Sequence, residues 1–503
     1  RHMDILLGLD LGTSNCKALA MTTAGPVLAI ASAPTPFLPV DLSVVGAAPE
    51  LDADVIWHLC VQLIRDVQAQ VRDQIPQARF IGLSAASLAE SVVLVDADGN
   101  PTTPVIIWHD LRTLPWLAWW HQHLTPLEIY QRTGLSFDHI YSACKLQWTR
   151  QHRPAAFAQT TVFLSLADWI TFKLCGVLGM SWTMASRTML FDPSAHAWSA
   201  DLFALADIPM QLAPSLMPSG TVVGKLTARA AQQTGLPIGM LVSAGGHDHV
   251  CGALAAGVVE PGSMLDSAGT AEAFMVTLDQ PALNVAEPPG LGCGCHVARD
   301  RYYLIGGILG GGAVTWLAET LNVSADALPQ LMAAAAQSPI GANGVWFLPY
   351  LRGSGPPKRD PQAFGAWIGF RLKSTRADLV RAALEGLSFG FRKVVGGMQT
   401  LAGIQVNEIR AVGGSTHNAV WQQIKADVLG LPIVVPEVAE AVAQGAALLA
   451  GIGAGVYVDE RDAASQVQGR VIRYVPDAAR HEAYTQLYQR WSQLYPALES
   501  LII

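Results

Sequence analysis

The chain has 503 residues, 51% apolar and 14% charged, a balance that supplies large buried cores and excludes a mainly disordered polymer. Its net charge of −8 gives no general basic footprint for nucleic acid, although a local site for a small anion is compatible with it. Seven cysteines, an odd number spread over the whole length, argue against a secreted disulfide framework.

Residues 1–3 (Arg-His-Met) read as added ahead of the native start and are set aside. Residues 5–11, 17–23 and 27–31 are short apolar runs split by turn residues, which predicts an opening β-meander. Helical spacing of Val55, Leu59, Leu63 and Val67 predicts a helix over 52–74, and strands follow at 80–84 and 92–95. The second half repeats the plan. Residues 262–268 run into Gly269-Thr270, and strands are predicted at 274–277 and 302–305. Cys293-Gly-Cys295-His296 reads as strand residues, because no second ligand pair follows at zinc spacing. The apolar stretch 302–318 is too short and glycine-rich for a membrane span, so no membrane partner is expected and a cytoplasmic location is. A helix over 375–402 opens on a capping-box-like Thr375-Arg-Ala-Asp378 and stops at Gly403. A strand at 409–412, a Gly413-Gly414 turn, a helix over 417–429 and a strand at 431–435 complete the pattern. Strands alternating with helices predict an α/β fold. An x-Gly-Thr turn after an apolar strand occurs at 10–13 and again at 267–270. That weak repeat at half the chain length predicts two related lobes, 4–255 and 256–503.

Three turns carry candidate chemistry. In Asp10-Leu-Gly-Thr-Ser-Asn-Cys-Lys17, a tight glycine turn lets backbone N–H groups and the Thr13 hydroxyl approach phosphate oxygens, and a strand-end carboxylate suits Mg²⁺ held through water. In Ala244-Gly-Gly-His-Asp-His-Val, Asp248 sits among glycines at a strand end. It can serve as a general base for a hydroxyl, as the N-cap of a helix starting near Val250, or as both. Gly413-Gly-Ser-Thr-His-Asn418 and Gly310-Gly-Gly312 are turns where a nucleotide can reach the backbone. The segment 220–226 lacks a spacer residue and the hydroxyl of a P-loop, and neither a dinucleotide fingerprint nor a nucleophile elbow is present.

Taken in order, these motifs resemble the FGGY carbohydrate kinase family, in its xylulokinase-like form. Further segments match: Ile107-Trp-His-Asp-Leu-Arg112, residues 140–148 (IYSACKLQW), Gly246-His-Asp-His249, residues 365–385, and Gly413-Gly-Ser-x-x-Asn418. The resemblance implies two ribonuclease H-like lobes of the actin/hexokinase/Hsp70 type with a central cleft. It implies ATP mainly on the C-terminal lobe and the sugar mainly on the N-terminal one. Asp248 would then be the catalytic base, Asp10 the Mg²⁺ ligand, and Thr13 and Thr270 donors to phosphate oxygens. Lys17 would add positive charge, and Gly311, Gly312, Gly413, Gly414 and Asn418 would line the nucleotide. Glu90, Trp108, Asp110, Arg112 and His249 would face the sugar. The acceptor implied first is a ketopentose such as xylulose, with ribulose, fuculose, glycerol, erythritol and gluconate as alternatives. An actin- or chaperone-like ATPase is the reading from another class. Dimers are common in the family, so a homodimer is compatible with the resemblance.

Overall fold

The apolar runs and glycine turns fold into two sheets of related order in a computed structural model that describes residues 3–269, 271–467 and 469–501. The N-terminal sheet contains β1 (Met3–Leu11), β2 (Asn15–Thr22), β3 (Val27–Pro34), β4 (Ala78–Ser87), β5 (Val222–Lys225) and β6 (Leu241–His247). Its order is β5-β6-β4-β1-β2-β3. β1, β4 and β6 run parallel, while β2, β3 and β5 are antiparallel to their neighbours. The C-terminal sheet contains β7 (Ser263–Ala268), β8 (Ala271–Leu278), β9 (Gly292–Cys295), β10 (Tyr302–Leu309), β11 (Glu408–Val412), β12 (Ile433–Pro436) and β13 (Val471–Tyr474). Its order is β9-β10-β8-β7-β11-β12-β13. Five strands of each sheet share one plan. β3-β2-β1-β4-β6 corresponds to β10-β8-β7-β11-β12, an antiparallel meander beside parallel strands in each. The internal repeat legible in the turns is therefore a repeat of whole sheets.

Each central strand is covered on both faces, which is why β1 reads as a continuous apolar run with no alternation. The long helix α1 (Ala53–Gln74) starts where the Asp52 carboxylate accepts from the N–H groups of Asp54 and Val55, at 2.9 and 3.2 Å. The predicted strand at 92–95 forms but leaves the sheet and pairs antiparallel with Val162–Ser165. Both edges of β4 are already taken by β1 and β6, so the sheet has no place for it.

Two helices tie the lobes together. α2 (Asp248–Ala255) follows β6, and α6 (Ala441–Gly453) follows β12. Between them in sequence lie α3 (Gly311–Thr320), α4 (Arg376–Ala402) and α5 (Ala419–Leu429). α4 has the predicted capping box, with Asp378 replacing the usual Glu or Gln, and Gly403 closes it at φ 63°. α6 does not stay with its own sheet. It packs over β1, β4 and β6 of the N-terminal sheet. α2 lies against α6 and shares one buried core with Leu265, Met275 and Tyr303 of the C-terminal sheet. The C-terminal end of α2 is held there by Arg410, whose guanidinium donates to the Ala256 carbonyl at 3.0 Å.

Candidate active site

The parallel strands of the N-terminal sheet deliver their C-terminal ends to one cleft, the usual place for ligands in open α/β sheets. Asp10 lies one residue before the end of β1, and its register partners are Lys17 on β2 and Ala86 on β4. Asp248 follows directly on β6 and is the first residue of α2. Its N-cap reading is thereby corrected. The helix starts two residues earlier than expected, the cap position is His247, and an acid in the first turn is favoured by the helix dipole.

The two carboxylates are electrostatic neighbours. Burial pushes Asp10 up to about 7, with repulsion from Asp248 as the next cause. Lys17 opposes the shift and Glu440 adds to it. Asp248 is more open. Its Oδ1 accepts from the His249 backbone N–H at 2.6 Å and lies 3.2 Å from His247 Nε2. Burial and the nearby Arg187 charge hold His247 well below the usual imidazole range, so it is a neutral ring that orients the carboxylate.

A cavity of about 290 Å³ opens beside Asp248, with walls from both lobes. Thr13, Glu90, Trp108 and His249 line it. Trp108 donates its indole N–H to Thr13 Oγ1 at 3.2 Å, linking the first glycine turn to the wall of the cavity. Glu90 has φ 65°, a left-handed backbone uncommon for a side-chain-bearing residue. Its carboxylate takes a fork from Arg187, at 2.7 Å from Nε and 2.5 Å from Nη2. Arg187 in turn sits over the Tyr141 ring at 5.3 Å, and both line the cavity.

Asp110 and Arg112 are not on that wall, which corrects their placement against the sugar. They form a fully buried pair 2.9 Å apart, joined by Glu50 at 3.0 Å, with the Asp110 carboxylate also accepting from the Ala48 N–H. Such a cluster compensates its charges internally and holds the loop that presents Trp108. Lys17 is not free either. Its ammonium donates to Glu440 Oε2 at 2.7 Å, at the start of α6.

The C-terminal glycine turns converge on the tip of β7. The Gly311 N–H donates to the Gly269 carbonyl at 3.0 Å, and Ser415 Oγ donates to the Ala268 carbonyl at 3.0 Å. Gly413 has φ 107°, and a Cβ there would lie 2.7 Å from the Ala268 oxygen, so only glycine fits. Gly312 follows in the first turn of α3, a Cβ on Gly414 would meet open space, and Asn418 caps α5 by accepting from the Trp421 N–H at 3.2 Å. Gly311, Gly312, Gly413, Gly414 and Asn418 are not among the residues lining the 290 Å³ cavity. Thr270 lies outside the described residues.

Sequence reasoning missed Arg187, Tyr141, His247 and Glu440. Arg187 had a signal, a lone charge inside the apolar run Met184-Ala-Ser-Arg-Thr-Met-Leu190, where a buried cation needs a partner. His247 and Tyr141 stood inside segments already singled out. Glu440 had none.

Comparison with known proteins sharpens this picture. The family model described as the FGGY family of carbohydrate kinases, N-terminal domain, matches residues 5–255, and its C-terminal counterpart matches 264–454. A xylulose kinase of Bacillus subtilis (strain 168) is 27% identical over 511 residues, covering 99% of this chain and 98% of that protein. A glycerol kinase of Dechloromonas aromatica (strain RCB) is 32% identical over 486 residues, with 92% and 91% covered. The crystal structure of a xylulose kinase from Rhodospirillum rubrum superposes with a TM-score of 0.89 at 31% identity, over 99% of both chains. Among the described residues, no helix is long and apolar enough to cross a membrane.

Proposed function

The chain belongs to the FGGY family of carbohydrate kinases, and from that premise we propose that it transfers the γ-phosphate of ATP to a terminal hydroxyl of a ketopentose such as xylulose. The lobe 4–255 binds the sugar and the lobe 256–503 the nucleotide. The observation that carries the reading is the pair Asp10 and Asp248 at the ends of β1 and β6, the two strands that flank β4, beside a cavity walled by both lobes.

Phosphoryl transfer asks the protein mainly for positioning and charge stabilisation. Asp248 takes the proton from the acceptor hydroxyl as its oxygen attacks phosphorus, and the His249 N–H and neutral His247 fix the carboxylate for that step. The acceptor lies against Trp108, with Glu90, Arg187 and His249 within reach of its hydroxyls. Thr13 presents its hydroxyl and backbone to the phosphates from the N-terminal side. Gly311, Gly312, Gly413, Gly414 and Asn418 present backbone groups from the C-terminal side. The donor chemistry fits Mg²⁺. Asp10 is a hard oxygen ligand whose charge is destabilised by burial and by Asp248, a state that a bound cation relieves. When bound, Mg²⁺ neutralises charge on the β- and γ-phosphates. Closure of the lobes excludes water.

A coupled assay for ADP tests the proposal, run with pentuloses, hexuloses, tetritols, glycerol and aldonates in turn. ADP should appear only with an acceptor, and fastest with a pentulose. Hydrolysis independent of any acceptor would instead favour an ATPase that signals lobe closure.

A further inference from the structure

Beside the acceptor cavity lies a second one of about 640 Å³ in the C-terminal lobe. Its walls come from the loop 349–361, from Gly390 and Lys393 of α4 and from β8 and β10, with Phe137 added by the N-terminal lobe. Arg359, Ala273 and Gly307 belong to the walls of both cavities. Three cations face the second one: Arg352, Arg359 and Lys393. None of them has a carboxylate within ion-pair distance among the described residues. This sets them apart from Arg187, Arg112 and Arg381, each held by an acid. Lys393 has only the Tyr350 ring, 5.8 Å away, and burial together with the neighbouring Lys358 pushes its ammonium down. Among the described residues the one acid on the wall is Glu272, and it is spoken for. Lys425 engages its carboxyl from behind, and burial raises it well above the usual carboxylate range, so it adds little negative charge.

Unpaired like charges around one concave space repel one another, and an anion placed among them removes that cost. Two guanidinium forks and an ammonium suit a phosphate or carboxylate group. The hydroxyl of Tyr350 offers a hydrogen bond to a polyol. We infer that this second cavity binds the anionic group, phosphate monoester or carboxylate, of a small polyhydroxy compound, through Arg352, Arg359 and Lys393. Because Arg359 is a shared wall, the ligand is either a separate molecule beside the acceptor or the acidic end of the acceptor itself.

Calorimetric titration of the full chain at fixed ionic strength, without nucleotide, tests this with ribose 5-phosphate, gluconate and neutral ribitol as probes. At least one anionic probe should bind about 10-fold or more tighter than ribitol. The double variant Arg352→Ala/Lys393→Gln should weaken that binding about 10- to 100-fold while leaving ADP release on a neutral acceptor unchanged. An anionic probe that binds together with a neutral acceptor supports the separate ligand. One that competes with it and is itself phosphorylated supports the acidic acceptor. Equal binding of charged and neutral probes overturns the inference, as does undiminished anion binding in a double variant that melts like the parent. Should the double variant unfold, the exposed Arg352→Ala alone decides on the same criterion. Failure of ADP release with every acceptor would sink the kinase reading and leave the titration result standing.

Discussion

Two neighbouring carboxylates with different surroundings divide the chemistry at the residue scale. Asp248 is partly open and oriented, which suits a base. Replacing it with Asn keeps its shape and removes its basicity, so kcat should fall roughly 10²- to 10⁴-fold with nucleotide binding retained. Near-normal turnover in steady-state assays would remove Asp248 from the mechanism. Asp10 titrates at about 7 because burial, and then Asp248, disfavour its charge. The folded chain therefore binds that proton more tightly than the unfolded chain does. The resulting stability is present below pH ~4, and it is lost as pH rises through about 7. Asp10→Asn should accordingly melt above the parent at pH 8 without metal, and lose that advantage near pH 4, as read by thermal denaturation. Asp10, Thr13 and Asp248 were legible in the sequence because each sits on a turn signal at the end of an apolar run. The state of Lys17 was not, since its partner Glu440 lies 423 residues away.

The hairpin of β7 and β8 shows what an element needs beyond its pattern. Two acids, Asp266 and Glu272, interrupt otherwise apolar strands, and both reach Lys425 on α5. All three side chains are fully buried, and the ammonium also lies 4.6 Å from the Phe391 ring and 4.5 Å from that of Trp421. The triad locks the turn end of the hairpin, where Gly269 meets Gly311 and Ala268 meets Ser415. Lys425→Met would leave two buried acids without their cation and should cost about 3–5 kcal/mol in urea denaturation. Adding Asp266→Asn and Glu272→Gln should restore part of that loss, because no buried acid is then left without its cation. The strands themselves were legible from apolar runs and turns, as were α1, α4 and the start of α5 to within a residue or two. The triad was not, because periodicity reports which face is buried and is silent on which distant charge meets it.

For the whole molecule, the crossing of α2 and α6 is the joint between the lobes. It is a close one. A Cβ on Gly445 would lie 1.9 Å from the Cys251 carbonyl oxygen, and one on Gly8 would lie 1.8 Å from that of Ala443. Backbone meets backbone there, so neither position has a flexible neighbour to yield. Gly445→Ala should force the helices apart, lower stability by about 1–3 kcal/mol, and change the response of small-angle scattering to nucleotide and sugar. A variant that melts and closes like the parent would show that the crossing tolerates a methyl group. α2 begins at Asp248 and ends against Arg410 of the other lobe, so it joins the Asp248 carboxylate to the C-terminal sheet.

By itself the sequence determined the α/β class, the duplicated plan, the helix caps and the glycine turns with their carboxylates and hydroxyls. All of these are written in residues close together along the chain, where sterics and burial periodicity act. Only the tertiary structure decided that α6 covers the opposite sheet, that Arg112 turns inward to Glu50 while Arg187 turns to the cavity, and that Arg359 reaches a space shared by both lobes. Those outcomes depend on which buried charge finds which partner across hundreds of residues, and that pairing exists only once the two sheets have packed.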